Sequence, residues 1–173
     1  ALYILSYSPS NYKILIFISL IIFFKVIDDF SLKNKIRYTF FYAFLIHTLG
    51  VSWVSESLMT YGFMSIAGSI LVTAFFVVII SLPYLLITLF HKPIKKNGIH
   101  NINLLAVIFL VAEYIKSLFF GGFPWLLIGN SQNGTIFNFI YPVFGTFMVS
   151  YIVVLMSALF FKSLDIKQKQ YIL

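Results

Sequence analysis

The stretch MSIAGSILVTAFFVVIISLPYLLITLF, residues 64–90, decides the fold class of this chain. It runs for 27 residues without an acidic or basic side chain, and about 20 apolar residues suffice for a helix to cross the hydrocarbon core of a bilayer. Lipid offers no hydrogen bonds to the backbone, so one segment that crosses it satisfies its own backbone groups only as a helix. Pro83 lies inside this run and predicts a kink, which suits a run longer than a straight crossing requires.

Four more apolar runs of spanning length flank this one. The predicted spans are residues 10–27, 38–54, 64–90, 102–120 and 136–161. The opening ALYILSY is apolar but too short to span, and without a basic leader or a cleavage site it predicts the end of a helix that starts before Ala1. The sequence therefore predicts an all-α, polytopic transmembrane helix bundle of about five spans, cut from a longer protein.

Composition excludes a soluble domain. Hydrophobic residues make up 61% of the chain and charged residues 10%, against about 25% charged in an average soluble domain. The net charge of +7 comes from basic residues scattered over short connectors, which favours membrane topology over nucleic-acid binding. Cysteine is absent, so these residues contain no disulfide, thiolate metal site or cysteine nucleophile.

The connectors alternate in character. Those after the first, third and fifth predicted spans are basic, and the excess of Lys and Arg on cytoplasmic loops predicts that they face the cytoplasm. Their basic residues are Lys33, Lys35 and Arg37, then Lys92, Lys95 and Lys96, then Lys162, Lys167 and Lys169. The two opposite connectors, residues 53–63 and 121–135, lack Lys and Arg and contain interfacial aromatic residues, so we expect them to face outward.

The second outward connector leaves two interpretations open. Gly121, Gly122 and Pro124 do not favour a continued helix, whereas residues 125–128, WLLI, are too apolar for a loop in water. A short segment that dips into the outer leaflet would satisfy both constraints. An ordinary loop with aromatic anchors at the membrane interface is the alternative.

Ionisable residues inside the spans are candidates for function. Glu113 and Lys116 are the only formal charges of the fourth span and lie three residues apart on one helical face. They either neutralise each other and tether helices, or bind a lipid headgroup or support a catalytic domain. His47 is interpreted as a packing histidine. Neither His91 nor His100 has further ligands at useful spacing, so we predict no metal site.

No catalytic motif is present. The serines lack the glycine-flanked turn of a nucleophile elbow, and no phosphate-binding glycine loop is found. We expect no cofactor. Glu56, between two aromatic residues of the first outward connector, is interpreted as a solvated carboxylate.

Three ordered sets of residues resemble the N-terminal transmembrane region of the bacterial apolipoprotein N-acyltransferases. The first set is SYSP, residues 6–9, and the second is GVSWV, residues 50–54, followed by Ser57-Leu58 and Tyr61-Gly62. The third and most specific set consists of Glu113 and Lys116, GFPWL at 122–126, GNSQ at 129–132, Pro142 and Gly145. Asn130 stands where the family usually has an aromatic residue. The likeness covers essentially the whole chain.

The resemblance implies the third step of bacterial lipoprotein maturation at the inner membrane. An acyl chain passes from a phospholipid donor to the N-terminal S-diacylglyceryl-cysteine of an apolipoprotein acceptor. In the family, the catalytic Glu, Lys and Cys lie in a nitrilase-like domain outside the membrane, which follows these spans. None of the three maps onto this chain, so we expect the segment alone to be inactive.

The implied role of the segment is to anchor the enzyme and to form part of the access route for its two lipid-bearing substrates. Membrane lipids are the other expected partners. By motif match, the candidate residues of this substrate region are Trp53, Tyr61, Glu113, Lys116, Phe123, Pro124, Trp125, Ser131 and Gln132. Tethering of helices is the competing role for each.

Two other functions stay open. A transporter or channel fragment would account for Pro83 and the charged pair, although it would need a polar pore and these spans are mostly Phe, Ile, Leu and Val. A purely structural membrane anchor for another enzyme is the other alternative. The residues that follow Leu173 would discriminate between them.

Overall fold

The computed structural model describes the backbone of residues 2–91 and 99–170 and the side chains of residues 2–91 and 101–164. Throughout these residues the regular structure is helical, without a strand, so the predicted all-α class is confirmed. The α-helices are α1 (Leu2–Leu5), α2 (Leu15–Asp29), α3 (Leu32–Gly50), α4 (Trp53–Thr60), α5 (Ile66–Ser81), α6 (Leu85–Phe90), α7 (Ile99–Leu118) and α8 (Tyr141–Gln170).

Each predicted span contains a helix. Three helical stretches in the described chain are long and apolar enough to cross a membrane, namely Ile66–Phe90, Asn101–Gly121 and Tyr141–Leu164. Helix α2 has 15 residues, which at 1.5 Å per residue gives about 22 Å against a hydrocarbon core of about 30 Å. Helix α3 has 19 residues but begins with a basic stretch. Five crossings therefore remain a prediction.

Several predicted boundaries were wrong. Helix α3 begins at Leu32 rather than residue 38, because Lys and Arg favour helix as much as most apolar residues do. Residues 136–139 form a 3₁₀ turn before α8 instead of its first turn. The first outward connector contains a helix of its own, α4.

The predicted irregularity at Pro83 takes the form of a 3₁₀ turn. Residues Leu82–Tyr84 form that turn between α5 and α6, because proline lacks the N–H that would continue the α-helical hydrogen bonds. Helix α5 begins with a hydrogen bond from Gly68 N to Ser65 Oγ, 3.2 Å, so Ser65 is a capping residue.

The helices close into a ring around one apolar core. Helix α2 packs on α8, α8 on α7, α7 on α6, and α3 contacts α6, α5 and α2. At the centre, Phe24 and Phe109 are buried with ring centroids 5.9 Å apart. This packing brings connectors that are distant in sequence to two opposite ends of the bundle.

At one end, which we call the basic end, α2, the start of α3 and the end of α6 meet. His91 Nδ1 lies 3.2 Å from Lys35 Nζ, and His91 Nε2 lies 3.5 Å from Asp28 Oδ1. Burial, and secondarily the Lys35 charge, lowers the pKa of His91 to about 4, although Asp28 acts in the opposite direction. His91 is therefore neutral near pH 7, accepting from Lys35. The predicted basic residues Lys92, Lys95 and Lys96 lie outside the described residues, as do the side chains of His100, Lys167 and Lys169.

Candidate functional site

Residues 124–132, the inserted loop, fold back into the bundle at the opposite end, which we call the aromatic end. Leu127 and Ile128 are 3% and 0% exposed, although neither belongs to an α-helix. The chain turns after α7 through Gly121 and Gly122, both with positive φ. Non-helical backbone at membrane depth is tolerated where protein buries it. The first interpretation, a segment that dips below the end of the helix, agrees with this arrangement, although the loop packs among helices rather than against lipid. Its position in the outer leaflet stays a prediction.

Two charged side chains of α7 bind the backbone of the inserted loop. Lys116 Nζ donates to the Trp125 carbonyl at 2.6 Å, and the Ile128 amide donates to Glu113 Oε1 at 2.6 Å. Both side chains are 0% exposed. Since Glu113 lies five residues before the end of α7, the loop descends about 7.5 Å below that end. The charges thus replace the hydrogen bonds that an irregular segment lacks.

Side chains from α1, from the turn that follows it and from α8 bind further backbone groups of the loop. Tyr3 donates to the Leu126 carbonyl at 2.9 Å, and Tyr7 to the Leu127 carbonyl at 2.8 Å. From the opposite side, Tyr141 donates to the Gly129 carbonyl at 2.6 Å, and Gly129 N donates to Ser150 Oγ at 2.8 Å. All five backbone carbonyls from residue 125 to 129, and the amides of Ile128 and Gly129, therefore have a side-chain partner, as expected for buried polar groups.

The charged pair does not form a direct ion pair. No Glu113 carboxylate oxygen lies within 4.0 Å of Lys116 Nζ; in the described part of the chain, the one acid–base contact within that distance joins Asp28 to the neutral His91. Besides its bond to the Trp125 carbonyl, Lys116 Nζ lies 3.5 Å from the Tyr84 hydroxyl. Glu113 Oε2 is buried without a well-aligned hydrogen-bond partner, with the Ser150 hydroxyl beside the carboxyl group. Glu113 and Lys116 therefore bind the inserted loop to α7 and do not bind each other.

Close packing of the inserted loop on α8 depends on Gly129. A Cβ atom there would overlap the Thr146 carbonyl oxygen and would lie 2.8 Å from Thr146 Cγ2 and 3.1 Å from Ser150 N. Because two of these atoms are backbone, the helix has little freedom to move away. Glycine is therefore required for the loop to reach Ser150.

Aromatic side chains cover the outer surface of the loop. Trp53 of α4 contacts Trp125 with centroids 5.3 Å apart, Trp125 stacks on Phe123 at 5.9 Å, and Phe123 meets Phe76 of α5 edge-on at 4.9 Å. The two tryptophans are 44% and 48% exposed. Tyr61, by contrast, is 80% exposed and lies outside this row.

The end of the inserted loop is fixed by its own polar residues. Ser131 Oγ donates to the Ile128 carbonyl at 2.7 Å, and Gln132 Nε2 donates to the Lys13 carbonyl at 3.1 Å and to Ser131 Oγ at 3.1 Å. Both side chains are buried. Their contacts connect the loop to the start of α2.

An open cleft of about 580 Å³ borders the exposed side of the loop. Its lining is mainly apolar and comprises Ile4, Tyr7, Ser8, Pro9, Leu49, Gly50, Pro124, Trp125, Leu126 and Asn130. The cleft has the volume and apolar lining of a small-molecule site. Of the nine predicted site residues, Pro124 and Trp125 line it, Glu113, Lys116, Ser131 and Gln132 hold its wall, and Trp53 and Phe123 pack on Trp125.

Sequence reasoning missed four residues that bind the loop backbone. Tyr3, Tyr141 and Ser150 stood out in no pattern, and Tyr7 was noted only as part of a motif. A tyrosine near the end of an apolar span usually indicates an interfacial anchor. Only their convergence on one segment distinguishes them. Within the described residues, no group of three His, Asp or Glu side chains is placed to bind a metal.

Comparison with known proteins gives consistent matches. The chain is 28% identical over 165 residues to the apolipoprotein N-acyltransferase of Pasteurella multocida (strain Pm70), covering 94% of this chain and 31% of that protein. It is 30% identical over 159 residues to the apolipoprotein N-acyltransferase of Methylococcus capsulatus, covering 89% of this chain and 31% of that protein. To the apolipoprotein N-acyltransferase of Haemophilus influenzae it is 28% identical over 160 residues, covering 91% of this chain and 30% of that protein. The chain thus spans about a third of the length of these relatives.

The matching family model is the apolipoprotein N-acyltransferase N-terminal domain, and it covers residues 1–159. The motifs that carried the resemblance include the inserted loop itself and some of its supports, namely Tyr7, Glu113 and Lys116. With most of its length matched by the family model, this chain belongs to the apolipoprotein N-acyltransferase N-terminal domain family.

Proposed function

We propose that this chain is the membrane domain of a bacterial lipoprotein N-acyltransferase. The complete enzyme would transfer an acyl chain from a phospholipid to the α-amino group of the N-terminal S-diacylglyceryl-cysteine of an apolipoprotein. The family match and the named relatives support this proposal. Within it, the chain anchors the enzyme and forms part of the access route for the two lipid-bearing substrates.

The observation that carries the role of this domain is the inserted loop with its cleft. Buried charges and tyrosines fix the loop backbone, so Trp125 and Pro124 form a rigid wall beside an open apolar volume. A cleft of this kind suits an acyl chain, because apolar burial is favourable and a fixed wall loses little conformational entropy on binding. A purely structural anchor would not require such a cleft.

In this proposal the chemistry belongs to residues outside the chain. Since residues 1–173 contain no cysteine, the thiol that would accept the acyl group as a thioester is supplied by a nitrilase-like domain in the remaining part of the enzyme. The phospholipid ester bond breaks as the thioester forms, and the lysophospholipid leaves. Attack by the α-amino group then forms the amide and releases the thiol.

We place the basic end of the bundle in the cytoplasm and the aromatic end at the periplasmic face of the inner membrane. The excess of Lys and Arg on one side and of tryptophan on the other supports this orientation. The cleft would then lie beneath the extracytoplasmic catalytic domain, at the leaflet where lipoproteins mature.

The proposal is tested in the full-length protein. We expect Trp125→Ala and Glu113→Leu to reduce lipoprotein N-acylation in membranes at least tenfold after correction for protein abundance, because both alter the wall of the cleft. Phe63→Ala and Glu56→Gln are the matched controls, since Phe63 is 91% exposed and Glu56 has only an exposed contact with Thr60. Normal acylation by both site variants would contradict the role in substrate access.

A further inference from the structure

Gly145 interrupts α8 four residues after the helix begins. Its φ of +71° and ψ of −179° are not helical, and this combination is essentially restricted to glycine. A Cβ atom at this position would meet nothing within 4 Å. Glycine is therefore required here for the direction of the backbone and not for space.

The two parts of α8 bind the same residue of the inserted loop. Before the kink, Tyr141 donates to the Gly129 carbonyl at 2.6 Å, and beyond the kink, Ser150 Oγ accepts from the Gly129 amide at 2.8 Å. The Thr146 carbonyl, directly after the kink, faces Gly129 closely. The loop is thus held at Gly129 from both sides of Gly145.

An uninterrupted helix could not make both contacts. Tyr141 and Ser150 are nine residues apart, which in an α-helix corresponds to about 13.5 Å along the axis and to opposite faces. The amide and the carbonyl group of one residue lie only a few ångströms apart. The kink at Gly145 therefore turns residues 141–144 so that Tyr141 reaches the same loop residue as Ser150.

The two parts of α8 differ in how firmly they are packed. Beyond the kink, Val149, Val153 and Val154 are fully buried, whereas residues 142–144 are exposed. A straightened α8 would therefore keep its longer part in place and carry Tyr141 away from the loop.

We propose that Gly145 is a positioning residue for the cleft. Its kink places Tyr141 on the Gly129 carbonyl, and this contact fixes the part of the inserted loop that follows the Trp125 wall. The inference deepens the proposed function and rests on it only for the identification of the cleft as a substrate site. Without the kink the wall loosens and substrates bind more weakly, although the groups that perform the chemistry are untouched.

Hydrogen exchange measures the link between Gly145 and Tyr141 in the full-length protein in detergent micelles. The readout is the exchange rate of the amides of residues 126–132 by mass spectrometry, because the hydrogen-bonded Gly129 amide exchanges only when the loop opens. Tyr141→Phe should raise this rate about fivefold, the effect of one ordinary hydrogen bond. In a Gly145→Ala background the same change should raise it less than twofold, since Tyr141 has already left the carbonyl. Exchange in residues 16–27 of α2 reports any global loss of stability.

Two further backgrounds make the comparison specific. Gly134 also has a positive φ, +84°, and open space around it, but it lies outside α8, so Tyr141→Phe should keep its fivefold effect in Gly134→Ala. Gly145→Asn keeps the test decisive if Gly145→Ala does not fold. Asparagine adopts positive φ more readily than alanine, but the extended ψ of Gly145 still excludes it, so Tyr141→Phe should again have less than a twofold effect.

The kinetics of N-acylation separate positioning from folding. Gly145→Ala and Tyr141→Phe should raise the KM for at least one of the two lipid-bearing substrates at least threefold and leave kcat within twofold, because the loop contributes binding and not chemistry. A variant that merely folds poorly would lower the apparent kcat at unchanged KM.

A fivefold effect of Tyr141→Phe in the Gly145→Ala or Gly145→Asn background would overturn the proposal. An unchanged KM in both Gly145→Ala and Tyr141→Phe would also overturn it, even if acylation by the wild-type protein confirms the proposed function. Hydrogen exchange requires no acyl transfer, so the two proposals fail separately. The expected exchange pattern in a full-length protein without acyltransferase activity would overturn the proposed function alone.

Discussion

Replacing Gly129 by alanine should be among the most destabilising single-methyl additions in this chain. The new Cβ would overlap the Thr146 carbonyl oxygen and approach Ser150 N to 3.1 Å. Both are backbone atoms of α8, so no rotation of a side chain relieves the contact. The inserted loop itself has to retreat.

The magnitude follows from what the retreat breaks. Overpacking in a dense interior costs about 1–3 kcal/mol. Loss of the Gly129 N–Ser150 hydrogen bond, 2.8 Å, adds about 1 kcal/mol, and weakening of the Ile128 N–Glu113 bond, 2.6 Å, adds about 1.5–3 kcal/mol for a bond to a charged group. We therefore expect Gly129→Ala to lower the free energy of unfolding by about 3 kcal/mol or more.

The free energy of unfolding is measured by denaturant titration in mixed micelles, with two glycine controls. Gly68 lies inside α5 with its nearest contact at 3.2 Å, from the Ser65 hydroxyl, so Gly68→Ala should be close to neutral, or stabilising by about 0.5–1 kcal/mol through helix propensity. Gly134 has a φ of +84° and open space around it, so Gly134→Ala should cost only the left-handed strain, about 1–2 kcal/mol.

Two results would refute this reasoning. Gly129→Ala with wild-type stability would mean that the loop and α8 are not packed as closely as the structure describes. An equal loss in Gly68→Ala would mean that the chain is sensitive to any added methyl group, whatever its surroundings.

Three further predictions follow from named contacts. Lys116→Met removes the bond to the Trp125 carbonyl and leaves Glu113 without a nearby cation, so the same titration should show a loss of about 3–5 kcal/mol in the free energy of unfolding. Adding Glu113→Gln should restore part of this loss. A double variant that is less stable than Lys116→Met alone would contradict the reasoning. Burial lowers the pKa of His91 to about 4 from 6.5, so the unfolded chain takes up a proton on His91 at a higher pH than the folded chain. The free energy of unfolding should therefore fall as the pH decreases from 6.5 to 4. In a pH series, His91→Asn should flatten that slope. Tyr7→Phe removes one hydrogen bond to the Leu127 carbonyl, which still accepts from the Asn130 amide at 2.9 Å, so the loss should be about 0.5–1.5 kcal/mol. Wild-type stability in the titration would contradict this.

The fold class could be predicted because it depends on local properties of the chain. An apolar run of sufficient length is helical in lipid whatever its neighbours are, and the run at residues 64–90 met that condition. Boundaries were predicted less well, as at α3 and residues 136–139, since hydropathy does not register the helix propensity of Lys and Arg or the 3₁₀ turn before α8. Length and composition left α2 and α3 undecided as spans.

The candidate site was predicted only in part. Glu113 and Lys116 were recognisable because charge inside an apolar span is costly. The connector at residues 121–135 was recognisable because its turn residues contradict its hydrophobicity. Their partners were not recognisable. Tyr3 and Ser150 are ordinary residues in sequence, and neither was predicted to bind residues 126–129.

What the sequence by itself determined is that each of the five apolar runs contains a helix, that basic and aromatic connectors alternate and that two costly charges are present. Each of these follows from the transfer energies of residues taken locally. Only the tertiary structure decided that the charges bind a loop backbone instead of each other, and that an apolar cleft borders this loop. Those outcomes depend on which helices pack together, because a buried carbonyl is satisfied by whichever donor the fold brings within about 3 Å, and sequence separation carries no information about that.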